Sequence, residues 1–169
     1  VFRTQIEELL RQGRHGTAGS YRSTLAAFAK FAGRRHYQLC ELDEQTVMEF
    51  RDHLVREGLS VNTVTFYLSK LRAVYNRAVR EGFAPKGTDP FESVHFRVEK
   101  TRKLAVDDTV LRSVAGAELP RGSLAVARDL FMASFYCRGM SFVDMAFLRK
   151  RDLSGGEINY VRRKTGQLM

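Results

Sequence analysis

The sequence lacks the patterns of a disulfide framework, a zinc site and a membrane span. Its 169 residues hold only two cysteines, Cys40 and Cys137, which lie far apart in unlike surroundings. Neither has the close spacing that disulfide scaffolds and zinc ligands show, so we expect both to be reduced core residues. No stretch approaches the roughly 20 apolar residues that a membrane helix needs, and no signal segment opens the chain. These absences favour a cytoplasmic protein.

Acidic residues are also in short supply. The formal net charge is +9, from 28 basic and 19 acidic residues, with a pI of about 9.9. The excess is spread along the chain, with 18 basic against 12 acidic residues through Lys103 and 10 against 7 after it. A basic excess spread over folded segments is typical of proteins that bind a polyanion such as nucleic acid. Many basic proteins bind nothing specific, so the residue pattern has to decide.

Prolines are few, and two of the three fall in the charged segment "APKGTDPFESVHFRVEKTRK", which has no apolar periodicity. Four amphipathic stretches precede this segment, and Asp43 and Ser60 are the predicted N-caps of the third and fourth. Shorter helical patterns follow it, the last of them a Gly-interrupted helix predicted over residues 139–153, and then a Gly155-Gly156 turn and a strand. We predict a helical domain over residues 1–98, a linker over 99–103 and a second domain over 104–169.

The fourth helical stretch, "LSVNTVTFYLSKLRAVYNRAVREG", has a polar face without an acid before Glu81. At 100° per residue, five apolar residues share the other face: Val64, Leu68, Leu71, Tyr75 and Ala78. Side chains of Asn, Ser, Lys and Arg suit phosphate oxygens and base edges, whereas solvated faces usually mix charges of both signs. The pattern favours DNA contact, with an ordinary solvated face as the alternative. The polar face comprises Asn62, Ser69, Lys70, Asn76, Arg77 and Arg80.

Three stretches follow the pattern of a known family: "GTAGSYRSTLAAFAKF", "LSVNTVTFYLSKLRAVYNRAV", and "ARDLFMASFYCRGMSFVDMAFLRKRDL" with "GGEINYVRRKTGQ". They resemble the tyrosine recombinases of phage-integrase type, especially the integrases of mobile DNA in Bacteroides-like bacteria. The resemblance implies a mainly α protein. It would have a four-helix SAM-like core-binding domain that clamps DNA, followed by the truncated α+β start of a catalytic domain.

The resemblance also implies a chemistry. In this family a tyrosine attacks a DNA phosphate and forms a phosphotyrosyl intermediate without metal or other cofactor. Arginines stabilise the charge on the phosphate, and a lysine on a hairpin turn gives a proton to the departing sugar hydroxyl. Lys164 in "RRKTGQ" matches this lysine, although it could be merely a basic turn residue. We expect the strand before it to find its hairpin partner beyond Met169.

The family's first arginine is missing from its usual place. Alignment puts Ser141 at the arginine and Asp144 at the acid that follows it. We predict that Arg138, one turn earlier, supplies the guanidinium, with Arg162 or Arg163 as alternatives. Asp144 is interpreted as a supporting acid, or else as a solvated helix residue.

The remaining catalytic residues of the family have no match in this sequence. The string "HLVR" at 53–56 lies in the wrong domain for the His-x-x-Arg pair, and Tyr160 precedes Lys164, so it cannot be the nucleophile in the family's chain order. We therefore expect this chain to bind DNA and to be inactive in cleavage by itself.

The resemblance extends the set of predicted contacts and partners. The partner would be double-stranded DNA at a recombination core site, bound by a tetramer of the full-length protein in the bacterial cytoplasm with the nucleoid. A helical transcription regulator and a helical module for an acidic protein partner remain alternatives, and the salt dependence of DNA binding would separate the latter. The additional predicted DNA contacts are Tyr21, Arg22, Thr63, Lys100, Arg102, Lys103, Arg162 and Arg163.

Overall fold

The computed structural model describes residues 1–33, 37–101 and 105–169. The chain divides into two compact units, Val1–Thr101 and Arg102–Met169, with the division inside the predicted linker. The described residues are mostly helical, with a small two-stranded sheet near the C-terminal end, which confirms the predicted fold class. Within those ranges, no helix has the length and apolar character to cross a membrane. The predicted start of the second domain at Leu104 lies outside the described residues.

The first unit contains four α-helices among its described residues: α1 (Phe2–Arg11), α2 (His15–Ala32), α3 (Glu44–Arg56) and α4 (Val61–Arg80). α3 and α4 begin where the sequence predicts. The Asp43 side chain accepts a hydrogen bond from the Thr46 backbone N–H at 2.8 Å, and Ser60 Oγ accepts one from Thr63 N–H at 3.3 Å. Each cap satisfies a backbone donor that the helix itself leaves unpaired.

The core of the first unit lies between α2, α3 and α4. Phe50 of α3 is fully buried and meets the Phe28 ring of α2 edge-on, with the centroids 5.1 Å apart. Tyr75 of α4 packs beside Phe91, which lies beyond α4 and closes the core. Because the apolar face of α4 is committed to this core, its opposite face is left to solvent. Cys40 is exposed on a 3₁₀ turn, Leu39–Glu41, so its predicted place in the core was wrong.

The second unit contains α5 (Asp108–Ala115), α6 (Ser123–Tyr136) and α7 (Phe142–Ala146), then a 3₁₀ turn, Lys150–Asp152. The predicted helix over 139–153 is therefore much shorter than expected. Strands β1 (Leu153–Ser154) and β2 (Glu157–Ile158) pair antiparallel across Gly155 and Gly156. Both glycines have positive φ, 61° and 83°, the conformation that a two-residue hairpin turn of type I′ requires.

The chain also pairs with itself after β2, in a second short hairpin around Lys164. Val161 and Leu168 form an isolated antiparallel bridge, and Tyr160 and Met169 exchange both backbone hydrogen bonds, at 3.2 and 2.9 Å. The turn is closed by Gly166 N–H, which donates to the Arg162 carbonyl at 2.7 Å. The expectation that the partner strand begins beyond Met169 was therefore wrong. The turn presents Lys164 at its tip.

Candidate nucleic-acid interface

One side of α4 is exposed along four turns. We call it the α4 stripe, and it carries no acidic residue. The sequence identified its polar members but missed Phe66 and Ala73, since only polar side chains were considered for the exposed face. Phe66 lies three residues before Ser69. Ala73 lies four residues after Ser69 and three before Asn76, and this helical spacing is the signal that could have found both. The stripe consists of Phe66, Ser69, Ala73, Asn76 and Arg80.

Lys70 lies beside the stripe and touches two aromatic rings. Its Nζ is 5.3 Å from the ring centroid of Tyr21 on α2 and 5.8 Å from that of Phe66. A cation at this range is attracted to the face of a ring, which holds the flexible lysine side chain in place. The structure thus brings together Tyr21 and Lys70, two of the predicted DNA contacts, and Arg22 follows Tyr21 as an exposed residue.

Arg77 lies on the same side of α4, but its guanidinium is engaged within the protein. It donates to both carboxylate oxygens of Glu8 in α1, at 2.7 and 2.9 Å, and to Glu81 at 2.6 Å. Gln5 accepts a further hydrogen bond from it. These bonds lower the pKa of Glu8 and raise the pKa of Arg77. With two carboxylates already bound, Arg77 joins α1 to α4. Within α4, Lys70 and Arg80 are the cations near the stripe that remain for a ligand.

Asn62 and Thr65 of α4 hydrogen-bond to residues 95–99, a segment that follows the last core residues in sequence and that we call the strap. Asn62 Nδ2 donates to the Glu99 carbonyl at 3.0 Å, and its Oδ1 accepts from Glu99 N–H at 2.8 Å. Thr65 Oγ1 donates to the Arg97 carbonyl at 2.6 Å. The Asn62 side-chain amide therefore makes two hydrogen bonds to the backbone of Glu99, one as donor and one as acceptor.

Two other predicted contacts, Thr63 and Lys100, are sequence neighbours of Asn62 and of the strap. The Thr63 hydroxyl pairs with Ser60 Oγ at 2.9 Å in the cap of α4. Lys100 is exposed just after the strap. Arg102 and Lys103 lie outside the described residues.

In the second unit, Asp144 ties the Lys164 turn to α7. Asp144 is buried, with 4% of the residue exposed. Its Oδ1 accepts a hydrogen bond from Arg163 N–H at 2.9 Å, and its Oδ2 accepts one from Ser141 Oγ at 2.7 Å. Ser141 is at the same time the N-cap of α7, since its Oγ accepts from Asp144 N–H at 3.1 Å. The Arg163 backbone hydrogen bond, followed by the Ser141 hydroxyl, lowers the pKa of Asp144. At the place of the expected arginine, Ser141 thus supports this acid.

The basic residues of this unit differ in how they are held. The Arg163 guanidinium lies over the Phe147 ring, 3.7 Å from its centroid, while Lys164 is exposed at the next position. Arg162 is half-buried. Arg138 is exposed and has a φ of 54°, in the left-handed region that residues with a side chain seldom adopt. The structure brings together Ser141, Asp144 and the backbone of Arg163. Ser141 lies three residues after Arg138, and Arg163 directly precedes Lys164.

Comparison with known proteins agrees with this architecture. The family described as the phage integrase SAM-like domain matches residues 1–97, more than half of the chain. The tyrosine recombinase XerD of Staphylococcus aureus, in strains Mu50 and N315 alike, is 31% identical over 90 residues. That alignment covers 49% of this chain and 30% of the relative, so the matched region spans under a third of the curated protein. No solved structure matches the chain at a significant level. The chain therefore belongs to the tyrosine recombinases of the phage-integrase family, with the SAM-like domain of that family in its first unit.

Proposed function

We propose that this chain is the DNA-binding part of a site-specific tyrosine recombinase, which cuts and rejoins duplex DNA through a phosphotyrosine intermediate. The reaction would serve the integration or excision of a mobile element. The observation that carries the proposal is the α4 stripe, an exposed helix face without acids, flanked by Lys70, in a SAM-like domain of this family. The net charge of +9 supports it, because phosphate neutralisation drives DNA binding.

The residues of the stripe divide by chemistry. Lys70 and Arg80 are free to neutralise phosphates, which positions a protein on the duplex without reading sequence. Ser69 and Asn76 carry hydroxyl and amide groups that can hydrogen-bond to base edges or phosphates. Ala73, between them, has no side chain long enough to keep the helix backbone away from the groove. The helix diameter of about 10–12 Å fits the major groove, which is about 12 Å wide.

The second unit would contribute to the chemical step. Lys164 is proposed as the proton donor to the departing sugar hydroxyl, held in place through its neighbour Arg163 by Asp144. Arg138, or Arg162 if Arg138 is too distant, would stabilise the charge that develops on the phosphate. The nucleophilic tyrosine has no match in this chain, so we expect binding without strand cleavage. In the cell, the full-length protein would act as a tetramer at its core site in the cytoplasm, with the nucleoid.

The test is the salt dependence of binding to a duplex of about 30 base pairs. Wild-type affinity should fall steeply as salt rises, and Lys70→Ala and Arg80→Ala should each reduce the log–log slope by about 0.9, the value for one lost phosphate contact. Arg72→Ala is the matched control, since Arg72 lies on another face of α4 and pairs with Asp89 at 2.8 Å. A flat salt dependence, or an Arg72 effect as large as that of Arg80, would overturn the proposal.

A further inference from the structure

Phe66 is an apolar residue at the end of an otherwise small and polar stripe. Its side chain is 38% exposed, whereas its neighbour Tyr67 is half-buried and packs against the core. The two rings meet edge-on, with centroids 5.5 Å apart and planes at 65°. Lys70 approaches the Phe66 ring from the next turn. The ring is therefore held from two sides and still faces solvent in line with Ser69 and Ala73.

We infer that Phe66 reads the 5-methyl groups of thymines in the major groove of the bound duplex. The inference rests on the proposed DNA binding by the α4 stripe. Among the groups that the major groove displays, the thymine methyl is the apolar one, and apolar side chains are the ones that recognise it. The exposed phenyl ring of Phe66 is apolar and can therefore contact the thymine methyl. It has no hydrogen-bonding group with which to recognise another base edge.

The neighbours of Phe66 supply the rest of the contact. Ser69 and Ala73 are short, so the ring projects beyond them when the helix enters a groove. Lys70, held at 5.8 Å from the same ring, places a positive charge where a phosphate of the flanking backbone can meet it. The pair therefore combines a phosphate contact, which positions the helix, with an apolar contact, which carries sequence information.

The experiment compares thymine with deoxyuridine, which differs from thymine in lacking the methyl group. Duplexes preferred by the 169-residue chain are first selected from a randomised pool, and each thymine of the selected duplex is then replaced by deoxyuridine in turn. At one or two positions, wild type should lose about fourfold in affinity per methyl, the factor expected for one buried methyl-sized group. Phe66→Ala should bind both duplexes equally and keep the wild-type salt slope.

Val61→Ala is the matched control, because Val61 lies on the same helix, off the stripe, with a similar exposure of 37%. It should keep the wild-type preference for thymine. The inference alone is overturned if wild-type binding is the same with deoxyuridine at every position, or if Phe66→Ala keeps the preference. Absence of duplex binding by the wild-type chain would instead overturn the proposed function as well. The wild-type comparison needs no variant, so it can overturn the inference even if Phe66→Ala does not fold.

Discussion

At the residue scale, Arg77 lies on the polar face of α4 by its position in the helix, but its side chain makes its contacts within the protein. Its position on α4 places it with Asn62, Lys70 and Arg80, but its guanidinium fork is filled by Glu8 from α1 and by Glu81. The planar guanidinium can hold both oxygens of the Glu8 carboxylate together, which an ammonium group cannot do. The bond to Glu8 makes Arg77 a link between the first and fourth helices.

Arg77→Ala is therefore expected to lower the thermal midpoint of the first unit, since it leaves Glu8 and Gln5 without their partner. Arg77→Lys should recover only part of the loss. Arg80→Ala, a change of the same kind on the exposed stripe, should leave the midpoint unchanged. Circular dichroism melts of the three variants provide the measurement. Equal midpoints for Arg77→Ala and Arg80→Ala would show that the link to α1 contributes nothing.

The pH dependence of the Lys164 turn follows from Asp144. Because the pKa of Asp144 is lowered in the folded protein, its contribution to stability is present above the ordinary aspartate pKa of about 3.9 and is lost as pH falls through the lower folded value. Ser141→Ala removes one hydrogen bond to the carboxylate, so the pKa of Asp144 should rise. The contribution to stability should then be smaller, and its loss should be complete at a higher pH than in wild type.

Carbon-13 NMR titration of the Asp144 carboxyl measures this shift directly, and the Arg163 amide should titrate with it. Ser134→Ala is the control, because Ser134 donates to the Met140 carbonyl in the same loop. If the pKa of Asp144 is the same in Ser141→Ala as in wild type, the proposed hydrogen-bond network is contradicted.

At the scale of elements, the sequence predicted what is local. The N-caps Asp43 and Ser60 and the buried stripe of α4 depend on residues within one helix, and all were found as predicted. The region 139–153 was predicted poorly, because Ser141 starts a new helix and the chain leaves it after Ala146. The pairing of Tyr160 with Met169 was missed because only two residues remain to signal a strand.

The candidate site was predictable to the same extent. The polar face of α4 and the basic turn at Lys164 could be identified from spacing and family pattern. The partner of Arg77 lies 69 residues away in sequence and that of Asn62 lies 37 residues away, so a single-helix pattern contains no information about either. Phe66 was missed for a different reason, since only polar side chains were considered as candidates for the exposed face.

The strap offers a prediction about one element. Asn62→Ala removes two hydrogen bonds to Glu99, and a loss of about 1 kcal/mol corresponds to about a fivefold rise in the opened population. Trypsin should therefore cleave after Arg97 or Lys100 about five times faster than in wild type. Asn76→Ala, the same substitution on the exposed stripe, should leave the rate unchanged. If both variants are cleaved at the wild-type rate, the Asn62 amide does not hold the strap.

At the scale of the whole molecule, we propose that the two units have different roles in the reaction. The first contains the SAM-like domain and the α4 stripe, and the second contains the turn with Lys164. Both carry a basic excess, so each is expected to contribute phosphate contacts. The predicted contacts Arg162 and Arg163 lie in the second unit, where the guanidinium of Arg163 stacks on Phe147.

Separating the units by limited proteolysis tests this division. The first cut is expected within residues 99–103, where Lys100, Arg102 and Lys103 provide trypsin sites between the two units. The purified first unit should still bind duplex DNA, because the α4 stripe stays intact. Its log–log salt slope should be shallower than that of the whole chain by about 0.9 for each lost phosphate contact. A cut after Lys103 removes Arg162 and Arg163, a change of about 1.8, and a cut after Lys100 also removes Arg102 and Lys103, a change of up to about 3.6. A first unit that folds but no longer binds would place the main interface in the second unit. A cut within α4 before any within 99–103 would contradict the division itself.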